Sequence, residues 1–485
     1  MDNSHFSYRS CYINFAEHLQ NAWNVNMLFP EGPNKWDIGY WKKYFIMIKE
    51  FGFNIFEFWL SPTMFSPEAI EGNPLQIKFK NEMRDIIDTA HEIGLKVKAI
   101  IPLNTIGQKW FFACPNISKD RELILSLWGF WTKELNNLDI VGIFPGDPGG
   151  CNRHGCNYET YINMCLSITE LSKKNIPNAR IAIGTWGTPF SGWDEDSFPM
   201  NNDIDNWVKM EEAYKVSGYP CPIWNGKIGR AEKAMEYFIK ILPKFPKDTL
   251  VEINIGLSPN STNIYGGPAK KWAREIAKIR DIITWDYALA EGELISYPHW
   301  RIPNMSTKIR EWRAAAPYAG GMTYTMSPKL SILTQYASAK LLINPDECPD
   351  KISKDFCAKV FGKENDILGE LFEAFEIVDG WGHFPRHTWS REALRKTFDE
   401  IIERLEACKI SNCNLPIPDP EEYKEDILWF ARKFRELSSE NPDREKIKKD
   451  YWKKALKIYD FIPMSEDKRA DIAAEYFSKI GENLV

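Results

Sequence analysis

The chain has 485 residues, 44% of them hydrophobic and 26% charged, with a net charge of −6 in which both signs are well mixed. That length exceeds one average domain, and that composition belongs to a globular chain with a large core rather than a disordered one. No basic tract points to nucleic acid, no polybasic or amphipathic stretch points to a membrane surface, and no run approaches the length of a membrane span.

The first residues, Met1-Asp2-Asn3-Ser4-His5-Phe6, lack the basic and apolar segments of a secretory leader. Ten cysteines are scattered, several within apolar or helical patterns as at Cys165 and Cys357, so reduced thiols and a cytoplasmic location are expected. Aromatics make up 14% of the chain and include 19 tryptophans. Beyond their use in a core, aromatic faces in loops suit the apolar C–H faces of pyranose rings.

In chain order, short apolar strands alternate with amphipathic helices. Strands are predicted at Tyr12–Phe15, Asn54–Leu60, Leu95–Ile101, Ile140–Phe144, Arg180–Trp186, Leu250–Ile255, Asp281–Tyr287 and Gly320–Thr325. The intervening helices fall near Gly39–Phe51, Glu82–Ile93 (ended by Gly94), Arg121–Leu135, Tyr158–Lys173, Arg230–Leu242, Trp272–Ile279 and Met305–Ala314. Eight β/α units over about 335 residues predict a (β/α)8 TIM barrel. The competing doubly wound sheet calls for a Gly-rich phosphate loop after an early strand, and none is present. From about Gln335 the strands stop, and the helical stretches Gln335–Leu342, Ser353–Phe361, Ile367–Val378, Arg391–Glu406, Pro420–Leu437 and Asp443–Tyr459 follow. The expectation is a barrel over 1–335 and an all-α C-terminal domain over 336–485.

In a barrel the βα loops open on one face, so the residues at the strand ends converge there. These are Glu17, His18, Glu57, Asn104, Asp147, Trp186, Asn254, Asp286, Tyr287 and Tyr324. The densest of the loops is the fourth. The run Ile140-Val141-Gly142-Ile143-Phe144 breaks into Pro145-Gly146-Asp147-Pro148-Gly149-Gly150-Cys151-Asn152-Arg153-His154-Gly155-Cys156, placing a carboxylate, a guanidinium, an imidazole and two thiols in a short Gly- and Pro-rich turn.

Several of these segments resemble glycoside-hydrolase-like barrels related to the hexosaminidases and α-glucuronidases. Ile283-Thr284-Trp285-Asp286-Tyr287 with Ala290-Glu291-Gly292-Glu293, Tyr297-Pro298 and the helix up to Arg313 is similar to their seventh unit. Gly320-Gly321-Met322-Thr323 resembles their eighth strand, and Tyr336 to Asp346 followed by Phe361-Gly362 the start of their C-terminal domain. Asp147-Pro148-Gly149-Gly150-Cys151 with Cys156 resembles their fourth-strand loop, so the likeness runs from about Asp139 to Gly362. It implies a glycosidase on a barrel. The hexosaminidases place an adjacent Asp-Glu pair at this strand end, whereas Pro148 follows Asp147 here, so their substrate-assisted chemistry does not carry over. Many relatives also hold a tighter cysteine cluster.

Cleavage of a glycosidic bond needs an acid at the leaving oxygen and a nucleophile or base on the opposite face. Asp147 is the acid candidate, because the apolar strand before it favours the protonated form. Its partner is sought among Glu252, Asp286 and Glu57, with His154 a different kind of candidate, as general base or as the group that orients the acid. Glu252 alternates with Val251 and Ile253 and so points either into a layer of the barrel or into the site. Glu57, between Phe56 and Phe58, is either a substrate contact or a buried partner for a basic side chain. Trp23, Trp110, Trp186, Trp193 and Trp300 are candidates for stacking, with Trp186 and Trp300 at βα loops favoured. Arg153 and Arg301 are candidates for gripping an acidic substituent through a bidentate fork. The expected activity is therefore an exo-acting glycoside hydrolase on a decorated, acidic or N-acetylated sugar, with sialosides and hexosaminides among the candidates and no cofactor or metal. A metal-dependent hydrolase using Cys151, His154 and Cys156 is the first rival, although that spacing is too short for a finger-like zinc site. A non-catalytic carbohydrate-binding relative is the second. Barrels of this kind often pair, which leaves a homodimer open.

Overall fold

In the computed structural model the described residues are 4–14, 36–60, 62, 64–107, 111–144, 156, 158–184, 231–253, 268–284, 298, 300, 302–325, 328–377, 389–410, 413–443, 446, 447 and 450. Eight parallel strands close into a barrel: β1 (Tyr8–Asn14), β2 (Ile55–Trp59), β3 (Lys96–Pro102), β4 (Ile140–Phe144), β5 (Arg180–Gly184), β6 (Leu250–Ile253), β7 (Ile282–Thr284) and β8 (Gly320–Thr325). Each strand pairs with its sequence neighbour, and β1 closes the ring against β8. The helices between strands are α1 (Ile38–Phe51), α2 (Pro67–Glu71) with α3 (Pro74–Ile93), α4 (Ser118–Glu134), α5 (Tyr158–Asn175), α6 (Ala231–Ile241), α7 (Pro268–Ala277) and α8 (Ile302–Ala315). The predicted TIM barrel is therefore the observed one. Asp37 caps α1 by accepting from the Tyr40 amide at 2.7 Å, and Pro67 stands in the first turn of α2, where a missing N–H costs nothing.

The first strand begins four residues earlier than the apolar run predicts. Tyr8, Arg9 and Ser10 are polar yet buried, and their polar atoms find partners. The Arg9 guanidinium donates to the Gly52 carbonyl at 2.7 Å, and the Arg9 amide donates to Asn54 Oδ1 at 3.0 Å. At the seam Gly320 has φ 147°, and a Cβ there would stand 1.7 Å from the Tyr8 carbonyl oxygen, so only glycine lets β8 reach β1.

After β8, α9 (Ile332–Ile343) packs on α1 and β8. The junction of residues 335 and 336 lies inside this helix. Gln335 accepts from the Tyr44 hydroxyl at 2.7 Å and donates to the Pro328 carbonyl, tying α9 to α1. The helices α10 (Pro349–Phe361), α11 (Leu368–Leu371), α12 (Arg391–Ala407) and α13 (Pro420–Leu437) continue the chain. Phe375, Phe398, Phe430 and Phe434 pack edge-on or tilted to one another between them. One helix expected over 367–378 is instead the short α11 followed by a 3-10 turn, Phe372–Ile377. The Gly369 carbonyl, which a continuing α-helix would use, accepts instead from Ser353 Oγ at 2.6 Å and Trp300 Nε1 at 2.9 Å. Among the described residues no helix is long and apolar enough to cross a membrane.

Candidate active site

The barrel interior is built in layers, because inward side chains recur every second residue along each strand. At the N-terminal end Tyr8, Ile55, Ile140, Ala182, Leu250 and Ile283 form an apolar plug. Two residues further along their strands come Ser10, Glu57, Lys98, Gly142 and Glu252. Two residues beyond these, toward the C-terminal mouth, come Tyr12, Trp59, Ile100 and Phe144.

The middle layer holds three charges out of solvent. Glu57, Lys98 and Glu252 are at most 4% exposed. Lys98 Nζ lies 2.8 Å from Glu57 Oε1 and also donates to Glu252 Oε2. The second oxygen of Glu57 accepts from the hydroxyls of Tyr8 at 3.1 Å and Ser10 at 2.7 Å. Gly142 makes room for this arrangement. A Cβ on it would meet Lys98 Cε at 3.1 Å and the Ala99 carbonyl at 3.2 Å. Burial, reinforced by Glu57 and partly offset by Lys98, pushes the Glu252 carboxyl up to about 7. Burial disfavours the Lys98 ammonium, but Glu252 and Glu57 outweigh it and hold the amine well above the usual lysine range. Burial and the adjacent Glu57 also raise the Tyr8 phenol. Two carboxylates around one ammonium thus carry a net charge that a single proton on Glu252 cancels near neutrality.

This placement decides between the readings that the strand alternation leaves open for Glu57 and Glu252. Both are ion-paired to Lys98 and buried, which is the buried-partner arrangement for Glu57 and the layer-filling arrangement for Glu252. Lys98 is the residue that the sequence reading missed. Its signal was present: Lys98 stands between Val97 and Ala99 as Glu57 stands between Phe56 and Phe58, and the two are register partners.

The layer above is aromatic. Tyr12 stacks on Tyr324 with centroids 4.9 Å apart and planes inclined by 21°, and Trp59 meets Phe144 edge-on at 6.2 Å. Tyr324 is only 2% exposed and so belongs to this interior layer rather than to the loops. Asn104, just past β3, shapes its own loop: its Nδ2 donates to the Ala113 carbonyl at 2.8 Å, and its carbonyl accepts the Ala113 amide at 2.9 Å. These bonds close the two-stranded ribbon of Thr105–Ile106 and Phe111–Phe112. Trp300 is a correction. Its ring is 4% exposed, and its Nε1 donates to Ser353 Oγ and to the Gly369 carbonyl, each at 2.9 Å. It pins the entry to α8 against α10 and α11 and offers no face to a sugar.

Asp147, His154, Asp286, Glu17, His18, Arg153, Trp186, Asn254, Tyr287 and Arg301 lie outside the described residues, as do Cys151, Trp23, Trp110 and Trp193. Cys156 is described, and its Sγ lies 3.2 Å from that of Cys114. Among the described residues no group of three or more His, Cys, Asp or Glu side chains is arranged to hold a metal ion.

No family model matches the chain, and no curated protein matches it significantly. Solved structures do. A GH138 enzyme targeting pectin rhamnogalacturonan II is 11% identical, with a TM-score of 0.51 over 99% of this chain and 68% of that one. A mutant O-GlcNAc hydrolase of Thermobaculum terrenum is 12% identical, with a TM-score of 0.49 over 98% of this chain and 94% of that one. The chain therefore has the barrel fold found in glycoside hydrolases, and at this identity the likeness is one of fold.

Proposed function

We propose that the protein is an exo-acting glycoside hydrolase that cleaves a terminal acidic or N-acetylated sugar by carboxylate-based acid/base catalysis. The observation that carries this reading is the layered interior. The aromatic side chains Tyr12, Trp59, Phe144 and Tyr324 gather at the C-terminal end of the barrel strands, where β4 ends at Phe144. Three residues beyond Phe144 the sequence supplies Asp147, the general acid of this reading. With Glu252 held by Lys98, the group opposite is Asp286 or His154, serving as nucleophile or as the base that activates water. Arg153 and Arg301 would grip a carboxylate substituent, and Trp186 would stack on the ring.

A panel of aryl hexosaminides, glucuronides and sialosides tests the proposal. Turnover of one class is expected, with Asp147→Asn lowering kcat by about a thousandfold or more while KM changes little. Absence of turnover on every class with intact sugar binding would point to a non-catalytic carbohydrate-binding protein. Activity that vanishes with chelation and returns with stoichiometric zinc would point instead to a metal-dependent hydrolase.

A further inference from the structure

Cys114 and Cys156 belong to successive β/α connections at the C-terminal end of the barrel. Cys114 lies in the turn leading into α4, and Cys156 lies two residues before α5, immediately after the segment 145–155 that carries Asp147. Their sulfurs are 3.2 Å apart, and both residues are 2% exposed. The backbone at Cys114 is fixed: its amide donates to Asp120 Oδ2 at 2.8 Å, and its carbonyl accepts from the Ile117 amide at 2.9 Å. The helices they introduce, α4 and α5, pack against each other. The Cys114 backbone is thus held by its turn, and the packed helices that follow the two cysteines tie the two connections together.

We propose that Cys114 and Cys156 form a redox-active dithiol whose disulfide staples the third and fourth β/α connections together. A disulfide needs its sulfurs about 2.05 Å apart, so closure asks for a movement of about 1 Å, which small side-chain rotations supply. The oxidant is a low-molecular-weight disulfide. One cysteine, as thiolate, attacks it and expels one small thiol, leaving a mixed disulfide. The second cysteine then attacks the protein sulfur of that mixed disulfide and expels the second small thiol. Two electrons pass to the small molecule, and the two cysteine protons end on the released thiols. The buried position favours this outcome over a lasting adduct, because the bridge adds no atoms to a packed turn while a mixed disulfide must be accommodated there. The bridge also fixes the point at which the chain leaves the Asp147 segment and enters α5.

The test uses the full chain equilibrated in glutathione buffers of stepwise oxidation, acid-quenched, unfolded, alkylated with N-ethylmaleimide and mapped by peptide mass. The expected result is a Cys114–Cys156 linked peptide that grows with oxidation and disappears with dithiothreitol. A thermal midpoint raised by several degrees should accompany it, as for a cross-link closing a long loop. Cys114→Ala and Cys156→Ala should each remove both signals while Cys165 stays alkylatable. Both thiols alkylated at every buffer ratio would overturn the proposal. So would a stable glutathione adduct on either, or a bridge from Cys156 to Cys151. Peptide mapping of the unmutated protein decides the question even if a variant fails to fold.

Discussion

Replacing Lys98 with methionine keeps an unbranched side chain one atom shorter and deletes its charge, leaving Glu57 and Glu252 without the ammonium between them. Both carboxylates are at most 4% exposed, so solvent cannot screen them. Removing one partner of a buried ion pair costs about 3–5 kcal/mol, and the near-isosteric methionine keeps the cavity contribution small. The sign of the pH dependence follows from Glu252. Its folded value of about 7 lies above the ordinary carboxylate value, so the native state binds this proton more tightly than the unfolded state. Its contribution to stability is therefore present below the unfolded value and is lost as pH rises through about 7. In the variant Glu252 loses the ammonium that offsets its burial, so its carboxyl rises further and the loss should be largest at about pH 8 and shrink toward about pH 5. Calorimetric unfolding of the barrel transition at the two pH values measures it. Adding Glu57→Gln and Glu252→Gln to the Lys98→Met chain should recover most of the loss at the higher pH. An equal loss at both pH values, or no loss at about pH 8, would refute the account of this layer as a charge-balanced unit.

Gly142→Ala should push against Lys98 Cε and the Ala99 carbonyl, lowering stability by about 1–3 kcal/mol, as read from denaturant midpoints. Gly320→Ala meets the Tyr8 carbonyl and a φ that alanine avoids, so soluble folded protein should be lost in expression trials. Trp300→Phe keeps an aromatic ring but gives up the single N–H shared between Ser353 Oγ and the Gly369 carbonyl, and about 1–3 kcal/mol of stability should go with it. Turnover per folded molecule should stay unchanged in that variant, since the ring faces α10 and α11 and not the mouth of the barrel.

The barrel was legible because its strands are buried on both faces and read as apolar runs; Ile140–Phe144 is the same in prediction and structure. The first strand was read late because three of its buried residues are polar. Tyr8 and Ser10 are satisfied by Glu57, and Arg9 by carbonyls and Asn54, partners distant in sequence that no local pattern displays. The same reason hid Lys98. Its meaning depends on Glu252, 154 positions away, and a lysine inside a strand reads as solvent-facing until its register partner is known. Trp300 misled for the opposite reason. Its position before α8 is that of a loop residue, but the C-terminal helices cover it.

The pairing of Tyr8 with Gly320 has a kinetic side. The strand made first at the ribosome finds its second neighbour only after the eighth strand has emerged, so the cylinder cannot be sealed while most of the chain is still being synthesised. Until then β1 through β7 form at best an open curved sheet with two unpaired edges, at β1 and at β7, which is the state most exposed to aggregation. Folding yield should therefore depend most strongly on residues at this seam, however far they lie from any chemistry.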